Sequence, residues 1–229
     1  WVKEKFFEKF EKKNHPKCEI IYPSINRLKK FPKKSNVISF VGKLNHSKGF
    51  HIFGKAIIKI LNKYKNWKGI VIGDEPRSTM SFKHKRLNVL GFVNHNKVLK
   101  IFEKTSIAVA CSRWDEPLGR TSLEASSRGC ATIISNKGGL PETVTHGVIL
   151  KELNVQSVYN EIRKLIENKK KRKELQKLSI KHFFHTNKIS SDKIDSYRDS
   201  LLKLLLTASS ITFSNNSILI CSLGRVKSG

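Results

Sequence analysis

The amino-acid sequence predicts an α/β fold, a parallel sheet with helices on both of its faces. Three observations predict it: short apolar runs recur along the chain, segments with apolar residues at helical spacing alternate with them, and polar turns join the two. Strands that alternate with helices pair in parallel, because each crossover helix returns the chain to the same end of the sheet. With 229 residues, 38% of them hydrophobic, the chain can bury such a core.

Six strands are predicted, each as an apolar run that ends at a turn. They cover residues 36–41, 69–73, 88–92, 106–110, 131–135 and 148–150. The predicted helices have one apolar face, which would pack on the sheet. They cover residues 50–64, 94–104, 120–128, 154–168, a segment after the lysine run 169–173 that reaches residue 182, and 191–205.

Both ends of the chain are predicted to lie outside this α/β unit. A helix over 1–13, a short strand over 19–22 and a linker rich in Pro and Lys precede the first strand. Because the sequence has no initiator Met, we interpret 1–35 as the remnant of a preceding domain and its linker. After the last helix, 207–229 predicts a poorly ordered, irregular tail, since Ser and Asn interrupt its apolar residues too often for a membrane span.

The net charge of +27 favours an anionic partner. However, only ten of the 45 basic residues are arginines, and abundant Lys, Ile and Asn can reflect a genome rich in A and T. No nucleic-acid-binding motif accompanies the charge, so no specific nucleic acid is expected as a partner. Peripheral contact with anionic lipid head groups stays open.

The four cysteines show neither C-x-x-C spacing nor a disulfide pattern; they are Cys18, Cys111, Cys130 and Cys221. Reduced thiols in a cytosolic protein explain them better than disulfides or zinc. We therefore expect a cytoplasmic protein, with a peripheral position at the inner face of the membrane as an open alternative.

The most informative stretch is 112–142, which places Glu116 and Glu124 around a Pro-x-Gly turn that opens a helix. If Glu116 lies in the turn and Glu124 further along the helix, both can face one cleft at different depths. A carboxylate accepts hydrogen bonds from two hydroxyls at once, which suits a polyhydroxyl ligand such as a sugar nucleotide. The plainer alternative is that both carboxylates are helix-capping or surface charges.

The start of the same helix predicts a phosphate site. Gly119 lets the backbone approach a ligand closely, and N–H groups from Gly119 to Thr121 would point at it. Lys43 and Lys48, in the turn after the first strand, and Arg120 would supply positive charge. Neither G-x-G-x-x-G nor G-x-x-x-x-G-K-[ST] occurs, so an ordinary turn with solvated lysines remains the alternative reading for residues 42–49.

Three motifs carry a family resemblance: GKLNHSKG, DEPLGRTSLEA and SNKGGLPE, in this order and spacing. They resemble the nucleotide-sugar-binding C-terminal domain of GT-B-fold retaining glycosyltransferases of family 4, or glycosyl transferases group 1. The resemblance covers about 36–166 and includes the E-x7-E signature. It implies a Rossmann-like sheet, the C-terminal half of a GT-B fold, with 36–185 as the nucleotide-sugar-binding domain and 186–206 as a C-terminal helix.

The resemblance also implies roles for individual residues. Glu116 would contact hydroxyls of the donor sugar, and Glu124 would hold the ribose hydroxyls. Lys48 matches the basic residue that stabilises the leaving diphosphate, while backbone groups near Gly119 and Arg120 would meet the diphosphate itself.

Four further residues are assigned through the same motifs. Gly138 and Gly139 would border the donor sugar, and Gly42 would belong to the donor-binding turn. Lys43 stands where the family usually has Arg; it keeps the charge but loses the bidentate fork, which would weaken stabilisation of the transition state.

The implied chemistry is transfer of a glycosyl group from a nucleoside-diphosphate sugar to an acceptor hydroxyl, with retention at the anomeric carbon. No cofactor and no metal are expected, and no Asp-x-Asp motif occurs. The acceptor would be a surface glycan or a glycolipid. Since the family builds its acceptor site on an N-terminal domain, the chain is expected to bind donor but to turn over poorly alone.

Three other functions are left open at this point. A nucleic-acid-binding module driven by charge would show steep salt dependence and indifference to mutation of Glu116. A non-catalytic nucleotide-sugar-binding protein would bind donor without any transfer. A sugar-nucleotide epimerase of similar fold is a weaker alternative.

Overall fold

The predicted parallel sheet is confirmed by the computed structural model, which describes residues 1–8 and 18–213, with side chains up to 206. The described residues form one six-stranded sheet in the order β3-β2-β1-β4-β5-β6, with every pairing parallel. The strands are β1 Val37–Val41, β2 Lys68–Ile72, β3 Leu87–Val89, β4 Ile107–Ala110, β5 Ala131–Ser135 and β6 Val148–Leu150. The order reverses between β1 and β4, the place where such sheets bind ligands at the carboxyl ends of the strands.

Helices cover both faces of the sheet, as predicted. Their bounds are α1 Val2–Phe7, α2 Phe50–Lys63, α3 His95–Lys104, α4 Arg120–Ser127, α5 Val155–Glu167, α6 Lys169–Lys181 and α7 Asn187–Phe213, with a short 3-10 helix at Leu140–Thr143. Helices α2 and α5 contribute to one apolar cluster, whereas α3 and α4 contribute to a second cluster on the opposite face.

The alternation of side chains along the strands builds these two clusters. In β1, the buried Phe40 packs against Phe50 and Phe53 of α2, with ring centroids 5.5 and 5.1 Å apart. On the other face, Phe102 of α3 and Ala125 of α4 are buried together. Burial of one such aromatic side chain stabilises the fold by about 1.5–3 kcal/mol. The clusters therefore fix both α2 and α4, the helices whose first turns reach the carboxyl ends of β1 and β4.

The prediction of a strand over 19–22 is wrong. This segment is irregular in the structure, although its apolar residues resemble a short strand. It joins no strand of the sheet, and its main chain makes other contacts instead, such as the bond from the Ser190 hydroxyl to the carbonyl O of Tyr22 at 3.1 Å. Ile20 and Ile21 instead line a groove beside α7.

The helices near the two ends of the chain differ from the prediction in their bounds. Helix α7 begins at Asn187 and continues to Phe213, so residues 207–213 of the predicted irregular tail are helical. Residues 214–229 of that tail, and 9–13 of the helix predicted at the start, lie outside the described residues. The lysine run 169–173 forms the first turns of α6, because the side chain of Asn168 caps the helix by accepting from Lys171 N at 2.8 Å.

Across the described ranges 1–8 and 18–213, the structure contains no helix with the length and apolar character needed to cross a bilayer.

Candidate functional site

A crevice of about 470 Å³ opens at the carboxyl ends of β1 and β4, where the strand order reverses. The turn after β1 forms one wall, and the loop after β4 with the first turn of α4 forms another. Six of the residues predicted for the site line this crevice: Gly42, Lys48, Glu116, Gly119, Arg120 and Thr121. The sequence motifs from two distant parts of the chain are thus brought together.

Glu116 is held in the crevice by two neighbours. The ammonium group of Lys48 donates a short hydrogen bond to Glu116 Oε1, and the Ser112 hydroxyl lies 2.8 Å from the same oxygen. The Glu116 side chain is only 11% exposed, whereas the Lys48 side chain is 33% exposed. A carboxylate and an ammonium group are therefore fixed side by side, the acid buried and the cation open to a ligand.

Ser112 was missed in the sequence analysis. Its hydroxyl also lies 3.0 Å from the carbonyl O of Ser47, and its own carbonyl O accepts a bond from the Ser135 hydroxyl at 2.6 Å. The Ser47 carbonyl in turn accepts from Arg113 N at 2.8 Å. These bonds tie the Lys48 turn to the Glu116 loop. The available signal was a serine directly after the apolar run of β4.

The start of α4 has the features expected of an anion site. Gly119 precedes the helix with φ 90°, and a Cβ added there would overlap the side chain of Leu140. The first N–H groups of any helix lack intrahelical acceptors and favour negative charge. Arg120, with 71% of its side chain exposed, adds a solvent-exposed positive charge beside them.

Gly138 and Gly139 lie behind Glu116 rather than among the residues that line the crevice. Gly139 N donates to the carbonyl O of Glu116 at 2.6 Å. Gly138 has φ 55°, and a Cβ at this position would overlap the main chain of Glu116. The Gly-Gly turn therefore supports the main chain that carries Glu116. The contact with the donor sugar stays a prediction.

Glu124 lies on the next turn of α4 and faces the first residue of α3. Its Oε1 is 3.2 Å from His95 Nε2 and 3.8 Å from Arg120 Nη2, and its side chain is 9% exposed. Burial raises the pKa of Glu124, an effect that the charges of His95 and Arg120 oppose. Glu124 does not line the crevice. Arg120 does line it and also lies beside the Glu124 carboxylate, so it connects the two. His95 was missed, because one polar residue at a helix start gives no sequence signal.

Lys43 is exposed in the turn after β1 and does not line the crevice. The pKa of Glu75 is lowered by its hydrogen bond from Arg77 and, to a smaller extent, by the charge of Lys43. Lys43 thus lies near Glu75, which follows β2. Its catalytic role stays a prediction.

In the part of the chain that the structure describes, no three or more His, Cys, Asp or Glu side chains lie together so that they could hold a metal ion.

Residues 7–182 match the family described as Glycosyl transferases group 1. The chain belongs to this family. The match covers the whole sheet and every crevice residue named above, and it confirms the family resemblance of the three motifs.

A curated relative supports the family assignment. Spore coat protein SA of Bacillus subtilis is 29% identical over 160 residues, which cover 62% of this chain and 42% of the relative. The chain spans less than half the length of the curated relatives it matches.

Solved structures show the same fold. The C-terminal domain of a glycosyl transferase group 1 family protein from Francisella tularensis is 25% identical, has a TM-score of 0.58, and is matched over 70% of this chain and 92% of that domain. HepE of Anabaena, solved in complex with UDP-glucose, is 20% identical with a TM-score of 0.57, over 71% of this chain and 49% of HepE. The GT-B, Rossmann-like character of the chain is thereby confirmed.

Proposed function

We propose that this chain is the donor-binding part of a retaining glycosyltransferase that takes a nucleoside-diphosphate sugar and transfers its glycosyl group to an acceptor hydroxyl. The observation that carries the proposal is the Lys48–Glu116 pair beside the start of α4, at the point where the strand order reverses. A carboxylate, a cation and a row of N–H groups are the three partners that a sugar joined to a diphosphate needs.

The diphosphate would lie at the first turn of α4, with the sugar next to Glu116. Negative charge grows on the diphosphate as it leaves, and Lys48 with the N–H groups near Gly119 would stabilise that charge once the donor is bound. In the structure Lys48 is bonded to Glu116. We therefore expect its ammonium group to shift toward the diphosphate when donor binds, while Glu116 receives hydroxyls of the sugar in exchange.

The ribose would lie at Glu124, one helical turn beyond Arg120. Both neighbours of this carboxylate contact Oε1, and ribose hydroxyls would take over part of those contacts. Exchange of one set of hydrogen bonds for another costs little, which suits a group that must bind and release ligand.

The donor class is supported by the UDP-glucose complex of HepE. The acceptor, a surface glycan or lipid, would bind on a further domain, and neither metal nor cofactor takes part in the proposal. The isolated chain should accordingly bind donor and turn over poorly. Efficient sugar transfer by the isolated chain would contradict this division of roles.

A thermal-shift screen of nucleotide sugars tests the proposal. A ligand at 100 times its Kd stabilises a protein by about 2.7 kcal/mol, enough for a clear rise in Tm. We expect UDP-glucose or a related nucleotide sugar to raise Tm in the wild type but far less in Lys48→Met. Lys55→Met, on the exposed face of α2, is the matched control and should respond like the wild type. The proposal fails if no nucleotide sugar raises Tm or if Lys48→Met responds fully.

A further inference from the structure

Three segments that are far apart in the sequence meet behind the crevice. They are residues 18–35 before β1, the 3-10 helix Leu140–Thr143, and the segment that leads from α6 into α7. Glu142 stands at their junction and contacts the other two segments. Because Leu140 of the same 3-10 helix lines the crevice, this junction lies directly against the proposed donor site.

The junction consists of Tyr22, Glu142 and His185, which we call the clasp. The Tyr22 hydroxyl donates to Glu142 Oε2 at 2.7 Å, and His185 Nε2 lies 2.9 Å from the carbonyl O of Glu142. The rings of Tyr22 and His185 meet edge to face with centroids 4.8 Å apart. Each member of the clasp thus contacts both of the others.

Two hydrogen bonds to main-chain carbonyl groups hold the clasp in place. The carbonyl O of His185 accepts from Ile25 N at 3.0 Å, and the carbonyl O of Tyr22 accepts from the Ser190 hydroxyl at 3.1 Å. Burial, with the hydrogen bond to Glu142, raises the pKa of Tyr22 to about 12, so its hydroxyl stays a donor across the usual pH range. The clasp is therefore a fixed link between the two ends of the domain and the 3-10 helix.

A second set of contacts passes from Glu142 to the crevice. Glu142 N donates to the carbonyl O of Gly139 at 3.1 Å, and Gly139 N donates to the carbonyl O of Glu116 at 2.6 Å. At the far end of the 3-10 helix, Thr143 Oγ1 lies 2.6 Å from Ser122 Oγ on α4. A displacement of the 3-10 helix would therefore move the Glu116 main chain and the first turn of α4 with it.

We propose that Glu142 is a positioning residue: held by Tyr22 and His185, it sets the place of the 3-10 helix and the Gly-Gly turn behind Glu116, and thereby the affinity of the crevice for its ligand. The positioning role follows from the contacts alone. The effect on affinity rests on the proposed binding of a nucleotide sugar. A change in the segment before β1 or before α7 would then be felt at the donor site.

The chain offers a matched control for the clasp. The Tyr64 hydroxyl donates to the carboxylate of Glu167, at the opposite end of α2 from the crevice. Burial, with this hydrogen bond, also raises the pKa of Tyr64 to about 12. Tyr64→Phe therefore removes an equivalent hydrogen bond at a place where we expect no effect on the crevice.

Amide hydrogen exchange of the full chain without ligand tests the positioning role. Loss of one hydrogen bond to a carboxylate should speed local opening about tenfold. We expect Tyr22→Phe and Glu142→Ala to speed exchange at the amides of Gly139 and Glu142 by this factor. Glu142→Gln, which keeps an oxygen for the Tyr22 hydroxyl, should have a smaller effect, and Tyr64→Phe should have none. Unchanged exchange in the first two variants, or faster exchange spread over the whole chain, would overturn the positioning role.

Calorimetric titration with UDP-glucose tests the effect on affinity. Kd should rise about five- to tenfold in Tyr22→Phe and Glu142→Ala and stay unchanged in Tyr64→Phe. If local exchange quickens but Kd does not change, the clasp does not set affinity and that part of the inference is refuted. If the wild type binds no nucleotide sugar while exchange responds as expected, the proposed donor function fails and the positioning role of Glu142 stands.

Discussion

The loop that carries Glu116 and the helix that carries Glu124 provide two contrasting settings for the same side chain. Glu116 is paired with Lys48 and Ser112, and its main chain is supported from behind by the Gly-Gly turn. Glu124 is buried against α3 with partners at longer distances, 3.2 Å to His95 and 3.8 Å to Arg120.

The contrast shows that one carboxylate is fixed and the other can adapt. Glu116 has short contacts that position it before any ligand arrives, which would preorganise the proposed sugar site. Glu124 is also buried, but its longer contacts offset less of the cost of burying a carboxylate. Hydrogen bonds from ribose hydroxyls would therefore stabilise it further. The Glu116 loop should therefore be sensitive to changes in its supporting main chain, whereas the Glu124 helix should respond mainly to ligand and pH.

We expect Gly138→Ala to have the largest effect, a loss of folding stability at the turn that supports Glu116. The substitution forces a Cβ into the main chain of Glu116 at φ 55°, and it should lower the free energy of unfolding by about 2–4 kcal/mol. Gly91→Ala is the control, since Gly91 has φ 64° but an added Cβ there meets nothing within 4 Å. It should cost about 1 kcal/mol. Equal losses in denaturant titrations would show that the Gly-Gly turn does not support Glu116.

The second effect separates the two carboxylates by ligand binding. Titrated with UDP, which has a ribose but no sugar, Glu124→Ala should lose about 2 kcal/mol of binding free energy, because two hydrogen bonds to a carboxylate disappear. Glu116→Ala should bind UDP within about fivefold of the wild type, since its partner is absent from UDP. The reverse order in calorimetry would rule out the proposed division between sugar and ribose.

The third effect compares the cations that pair with the two carboxylates. Lys48→Ala leaves the buried Glu116 without its ammonium partner and should lower the free energy of unfolding by about 1–3 kcal/mol. Arg120→Ala removes an ion pair whose Arg side chain is 71% exposed, and should cost less than about 0.5 kcal/mol. Similar losses for both variants would remove the distinction between a fixed and an adaptable carboxylate.

The smallest expected effect is the contribution of Glu124 to the pH dependence of the free energy of unfolding. Burial raises the pKa of Glu124 above its ordinary value of 4.5. At pH values between these two pKa values, the folded state therefore holds a proton that the unfolded state has released. The free energy of unfolding should therefore fall as pH rises from 4.5 through the folded pKa. Glu124→Gln should remove this slope and be relatively more stable above that window than below it. A variant whose pH profile parallels the wild type would show that Glu124 is not desolvated.

Most of the fold was predictable because the strands are short apolar runs bounded by turns. Strand β5 was predicted with its observed bounds, since Ala131–Ser135 is buried throughout and ends at a polar turn. The segment 19–22 has similar apolar residues, but no strand edge pairs with it, and only the tertiary structure reveals that. The continuation of α7 through the serines after Leu206 was equally hidden, because these residues have weak helix propensity.

The site was predictable only where the motifs carried it. That Lys48 and Glu116 lie at one crevice could be expected from the order of strands and turns, but the ion pair between them could not. Ser112 and His95 were missed, because their contacts depend on how loops and helices pack in the folded chain, which sequence spacing does not encode. The clasp joins Tyr22 to Glu142 across 120 positions, a separation that only the folded chain brings within 2.7 Å.

The most direct measurement of the central claim is amide hydrogen exchange with and without UDP-glucose. The claim is that the crevice at the carboxyl ends of β1 and β4 binds a nucleotide sugar. Exchange should slow over residues 42–49 and 119–124, which surround the crevice and Glu124, while α5 and α6 should be unaffected. Exchange that does not slow over 119–124, or that slows only in α5 or α6, would contradict the claim.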